Sequence, residues 1–123
     1  MRIHNFRELI AWQKGMQLAT KVYEITRKFP SYETYGLSSQ IQRSATSIPS
    51  NIAEGSGRST SKELIHFLSF SLGSAYELET ELLLAKQFNY FDADYAKQII
   101  EEVIEVQKLI YSLIKKFNSS ESN

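Results

Sequence analysis

This sequence predicts an all-α, single-domain fold, an antiparallel up-down-up-down four-helix bundle, and three observations carry that expectation. Four stretches repeat apolar residues at alternating steps of three and four, the period of one helix face. Glycine and proline are scarce, five and two residues, and lie near the joints of those stretches, unlike the scattered punctuation of a strand-and-turn protein. The joints are short, about four to six residues, which folds neighbouring helices back on one another. At 123 residues the chain has the length of one domain, read as a bundle over residues 1–117 and a disordered polar tail over 118–123.

The first helix is expected over residues 6–28. Trp12, Met16, Ala19 and Tyr23 form one row, and Ala11, Gly15, Leu18, Val22, Ile25 and Phe29 a second. At about 100° per residue the two rows cover roughly 160° of the helix. That is wider than one hairpin partner needs, so a further contact outside the bundle is expected. Phe29-Pro30 ends the helix, because the residue before proline is pushed out of the helical region.

The second helix, over residues 35–54, has Leu37, Ile41, Ala45, Ile48 and Ile52 as its apolar line. Pro49 lies inside it, removing one backbone hydrogen bond and crowding the carbonyl four residues back, so a kink at Pro49 or a break near Ser47 is expected. Gly55-Ser56-Gly57 supplies the stop, through the left-handed conformation that glycine tolerates. Thr60 and Glu63 make a capping box that starts the third helix. Its row, Leu64, Leu68, Ser71, Ala75, Leu78, Leu82 and Ala85, keeps step without a slip, and Gly73 and Ser74 mark a place for close backbone approach. After a turn at Asn89–Phe91, Asp92 caps the fourth helix, with Ala96, Ile99, Val103, Val106, Ile110, Leu113 and Phe117 as its core row.

Fourteen basic residues balance fourteen acidic ones, so any attraction to nucleic acid or acidic lipid has to come from a local patch. The absence of cysteine excludes disulfides and thiolate chemistry. No apolar run approaches a membrane span of roughly 18 to 20 residues, and the first residues lack a signal-peptide core. A soluble cytoplasmic protein is expected.

Catalytic patterns are thin. Glu63-Leu64-Ile65-His66 has the spacing of a di-iron helix motif, but such a site needs a second motif and two further carboxylates, and His4 is the one other histidine. The two histidines leave serine chemistry without an oriented base. The acidic runs on the third and fourth helices read as solvated faces. Gly55–Thr60 lacks the ending and the preceding strand of a phosphate loop. No enzyme activity, metal or cofactor is expected.

Two polar patterns are more informative. Gln40, Arg43, Ser47, Asn51, Glu54 and Arg58 share a stripe on the second helix, which Glu77 and Ser74 of the third helix can face. A hydrogen-bonded network between helices or subunits is the favoured reading, since buried Arg and Glu persist only when paired. Arg7, Lys14, Lys21 and Lys28 recur every seven residues, a line that drifts only about 20° per heptad. This line is a candidate for RNA phosphates or an acidic neighbour, although no aromatic platform interleaves it.

Particular residues also point to a family. Phe6-Arg7-Glu8-Leu9 with Trp12-Gln13-Lys14, Phe29-Pro30, Tyr35 to Gln40 and Arg43-Ser44-Ala45 resemble the family of proteins encoded in intervening sequences of bacterial 23S ribosomal RNA genes. The densest match is the proline-containing polar stretch Ser47 to Arg58, followed by Phe67-Leu68 and Gly73 to Glu79. The resemblance implies a four-helix bundle that assembles into a ring, a homopentamer, with no established catalytic activity. It also implies an RNA-linked setting and kinship with accessory proteins of diversity-generating retroelements, whose basic barrels engage nucleic acid and a reverse transcriptase. Those relatives are strongly basic, whereas this chain is neutral, with a pI near 6.7.

Overall fold

The computed structural model describes residues 5–122, with side chains through Ser119. Among these residues there are four α-helices and no strand: α1 Ile10–Thr26, α2 Leu37–Ser56, α3 Ser61–Gln87 and α4 Ala93–Ser122. Short 3₁₀ turns at Phe6–Glu8 and Ser31–Glu33 precede α1 and α2. α1 packs on α2 and α4, α3 packs on the same two helices, and α1 and α3 do not meet. No helix among the described residues is long and apolar enough to cross a membrane.

The core is built from the periodic rows. All seven residues of the α3 row are buried, Ser71 included, as is the whole apolar line of α2. α4 buries Ala96, Ile99, Val103, Val106 and Ile110, with Leu113 and Phe117 packed at the edge. Each such leucine or isoleucine contributes about 1.5 to 3 kcal/mol through apolar surface removed from water.

Four local features depart from the sequence reading. α1 starts at Ile10, because the Asn5 side chain accepts from the Arg7 amide (3.3 Å) to close a separate turn and Leu9 is extended. A side-chain acceptor offering a turn amide a partner competes with helix extension. α2 runs through Pro49 without the break near Ser47 that stood as the alternative to a kink. Proline leaves the Ala45 carbonyl without its amide partner, and neighbouring polar side chains bond other carbonyls along the helix. Ser47 Oγ donates to the Ser44 carbonyl (3.1 Å), Asn51 Nδ2 to the Ser47 carbonyl (2.8 Å) and, from α3, Ser71 Oγ to the Ile48 carbonyl (2.8 Å).

The third departure concerns glycine. Gly57 closes α2 at φ −88°, and no described glycine has positive φ. The close backbone approach is at Gly55, where a Cβ would lie 2.9 Å from Phe67 Cβ and 3.2 Å from the Leu64 carbonyl oxygen, whereas Gly73 faces open space. The left-handed residue is instead Asn89, at φ 61°. The Asn89 amide donates to the Lys86 carbonyl and the Tyr90 amide to the Ala85 carbonyl, the paired bonds of a Schellman stop. Fourth, α4 keeps a helical backbone to Ser122, past Phe117, since no glycine or proline interrupts that stretch.

Capping follows the sequence: Thr60 Oγ1 accepts from the Glu63 amide (3.1 Å) and Asp92 Oδ2 from the Tyr95 amide (3.0 Å). At the start of α2 the cap is a carboxylate from outside the helix. Glu33 Oε1 accepts from the Leu37 amide (3.0 Å) while its Oε2 accepts from the Tyr90 hydroxyl (2.7 Å), tying the α1–α2 joint to the α3–α4 turn. The Tyr90 hydroxyl, then the Leu37 amide, hold the Glu33 carboxyl below its ordinary pKa. A lowered carboxylate stabilises the fold fully above the ordinary pKa of about 4.3, and that stability is lost as pH falls through the lower folded value. Glu33→Gln should therefore melt below the parent chain at neutral pH, with the gap closing in acid. A gap that stays constant in thermal melts from neutral pH to about pH 3 would exclude this role.

Candidate functional site

The wide face of α1 divides as its two rows imply. The row from Ala11 to Ile25, with Phe29, enters the core. The other row, Trp12, Met16, Ala19 and Tyr23, turns outward and forms one wall of an open groove of about 560 Å³. Thr46, Pro49, Ser50 and Ala53 of α2 form the other wall, and Glu24 and Arg27 are its charged residues. Met16 is 44% exposed and Tyr23 41%, high values for large apolar side chains. The sequence reading found the α1 wall but not the α2 wall. Pro49 registers in a sequence as a helix disturbance, yet its ring is also an apolar surface free of an amide.

The polar stripe of α2 lies on the adjacent side, along the seam with α3. The Ser47 and Ser74 hydroxyls share a hydrogen bond of 2.7 Å, joining the two helices, while Asn51 bonds back to its own helix. Glu54 and Arg58 form an ion pair (3.3 Å), and the Arg58 guanidinium lies over the Phe67 ring at 4.6 Å. Gln40, Arg43 and Glu77 are exposed, and Arg43 forms no ion pair among the described residues. Within one chain the stripe is thus two local clusters, at Ser47/Asn51 and at Glu54/Arg58.

Residues outside the stripe complete the seam. Burial holds the Glu81 carboxyl above its ordinary pKa and Glu77 adds repulsion, against opposing pulls from Ser44 and Arg43. Glu81 Oε1 and Arg58 Nε are buried without hydrogen-bond partners. Phe70, 50% exposed, stacks edgewise on His66 with centroids 4.4 Å apart and continues the aromatic surface of Phe67. Phe67 and Phe70, three apart, and Glu77 and Glu81, four apart, carry a helical-spacing signal that marks this face in retrospect.

The heptad line of basic residues is not one free stripe. Lys14 pairs with Glu105 (3.0 Å) and Lys21 with Glu102 (2.7 Å), both on α4 of the same chain, and the Glu102 hydrogen bond raises the Lys21 pKa. Arg7 sits in the 3₁₀ turn before α1, and Lys28 lies beyond its end. The even spacing assumed a continuous helix over 6–28. Such surface pairs are each worth about 0 to 1 kcal/mol, but they place carboxylates beside the two central lysines, where phosphate would have to compete.

Among the described residues no cluster of three or more His, Asp or Glu side chains is placed to hold a metal ion. The fold and its surfaces define a helical-bundle protein with an apolar groove on one side and a polar, aromatic seam on the next. The chain belongs to the 23S rRNA-intervening sequence protein family, whose model matches residues 7–112. It is also similar to a crystal structure of a protein with unknown function from the S23 ribosomal protein family of Bacteroides thetaiotaomicron. The two share 27% identity at a TM-score of 0.80, over 86% of this chain and 96% of that one. No curated protein matches the chain significantly.

Proposed function

We propose that this protein is a non-enzymatic assembly module of the cytoplasm: an antiparallel up-down-up-down bundle, bent at Pro49, whose copies join into a homopentameric ring that serves as an interaction platform. The observation that carries the reading is the open groove between α1 and α2, where Met16 and Tyr23, 44% and 41% exposed, stand in one apolar wall opposite Pro49 and Ala53. Contact order supports the antiparallel arrangement. Lys14 meets Glu105 while Lys21 meets Glu102, and Ile48 meets Ser71 while Gly55 meets Leu64. The ring and its number are what the family resemblance implies.

Native mass spectrometry of the gently purified protein tests the reading. The expected result is a mass of five chains with no accompanying nucleic acid. A monomer at every concentration would overturn it, and extra mass removed by ribonuclease would turn the function towards RNA.

A further inference from the structure

We infer that the cleft between the end of α1 and the first turn of α2 is a binding site for the phosphate group of a phosphomonoester. The cleft has a volume of about 310 Å³, at the small end of the roughly 300 to 1,000 Å³ usual for small-ligand sites. Thr26 and Arg27 line it from the end of α1, Ser31 and Thr34 from the joint, and Ser38 and Gln42 from α2. Arg27 stands between this cleft and the apolar groove, and the two cavities differ in chemistry: hydroxyls dominate here, apolar side chains there. The site is complete within one chain, so it stands whether or not the copies assemble.

The side chain that marks the site is Ser38. It is 5% exposed, yet its hydroxyl forms no hydrogen bond among the described residues. Buried polar groups in a native fold have partners. Ser56 and Ser71, equally buried, donate to the Ile52 and Ile48 carbonyls at 2.8 Å. Ser38 and Gln42 are one turn apart and share a side of α2. Gln42 Nε2 donates to Thr26 Oγ1 at the end of α1 (2.9 Å), so that side faces the cleft, and the Ser38 hydroxyl is left for whatever enters it.

Charge sets the sign of the ligand. Arg27 is exposed and forms no ion pair among the described residues, and no carboxylate lines the cleft among them. Glu24, three residues before Arg27, lines the groove instead. Glu33, in the joint itself, has its carboxylate engaged by the Leu37 amide and the Tyr90 hydroxyl. The first turn of α2 forms one side of the cleft and adds the partial positive charge of a helix start. The occupant is therefore an anion. The Thr26 and Thr34 hydroxyls already donate to the Tyr23 and Ser31 carbonyls, at 3.2 and 2.8 Å. The donors left are the Arg27 guanidinium, the Ser31 and Ser38 hydroxyls and the second amide hydrogen of Gln42. A guanidinium fork takes two oxygens of an oxyanion. The hydroxyls and the amide serve a third, which a phosphomonoester has and a carboxylate lacks, and Pro30 offers the ester carbon an apolar surface.

Titration of isotopically labelled protein with inorganic phosphate, at fixed ionic strength and followed by backbone amide signals, tests the site. The signals of Arg27, Ser31, Ser38 and Gln42 should shift together and saturate. Arg27→Gln and Ser38→Ala should each weaken binding about tenfold, the loss that one hydrogen bond to a charged group carries. Arg43→Gln, which removes an exposed guanidinium elsewhere on α2, should leave it unchanged. Circular dichroism checks that each variant keeps its helices, and should Arg27→Gln lose them, Ser38→Ala carries the comparison alone. A short oligoribonucleotide with a 5′-phosphate, set against the same strand with a 5′-hydroxyl, separates the sources. Tighter binding that needs the 5′-phosphate assigns the monoester to an RNA end, and saturable phosphate binding without that gain assigns it to a small phosphorylated molecule. Shifts that scatter over the surface lysines without saturating, or a phosphate affinity that survives Ser38→Ala in a helical protein, overturn the site.

Discussion

Replacing Gly55 with valine should lower the stability of the fold by about 3 kcal/mol or more, in the upper part of what overpacking a tight contact costs. A Cβ at this position would lie 2.9 Å from Phe67 Cβ, 3.1 Å from Leu64 Cδ1 and 3.2 Å from the Leu64 carbonyl oxygen. Two of those neighbours are a backbone atom and the first atom of a side chain, so neither can swing aside. The α2–α3 contact would have to open, loosening the Arg58–Phe67 stack beside it. Gly15 supplies the control. Its nearest neighbours for a Cβ are Ile48 Cγ2 at 3.3 Å and Pro49 Cδ at 3.5 Å, both side-chain atoms. Gly15→Ala also gains about 1 kcal/mol of helix propensity. Urea titration should therefore separate the two glycines widely, and a Gly55→Val midpoint equal to the parent's would show that α2 and α3 do not approach this closely.

Leu78→Ala should cost about 2 to 5 kcal/mol, the range for emptying a leucine site in a packed core. Leu78 is fully buried on α3, the helix that packs on both α2 and α4. Against a total stability of about 5 to 15 kcal/mol for a natural domain, a loss of this size is a large fraction of the whole. Thermal and urea unfolding of a parent and variant held at one protein concentration would measure it, since assembly makes apparent stability concentration-dependent. A loss below about 1 kcal/mol would mean that the α3 row is not the shared wall of the core.

The helices were legible because their information is local. On α3 and α4 each core position is apolar or small and the spacing never slips, so pattern alone names the residues that are buried. The two rows of α1 likewise separate into a core row and an outward row. What was not legible depends on contacts distant in sequence. Nothing near Lys14 or Lys21 announces Glu105 or Glu102, so the basic line looked free. The break at Leu9 carries no glycine or proline, only an asparagine four residues earlier. Gly55 and Gly73 look alike in sequence, yet one faces a side-chain wall and the other open space. The seam is the clearest case. Its stripe on α2 was visible as a spacing, but Phe67, Phe70 and Glu81 join it only through the packing of α2 on α3.

The position of Trp12 gives the molecule a property of a different kind. It is the sole tryptophan in the chain, and it stands in the wall of the α1–α2 groove, with the Phe6 ring against it at 5.3 Å. Tryptophan emission from this protein therefore originates at one surface rather than from the interior as a whole. The indole is a built-in optical gauge of groove occupancy, readable in unlabelled protein by exciting at the red edge of its absorption, where Tyr23 in the same wall does not absorb.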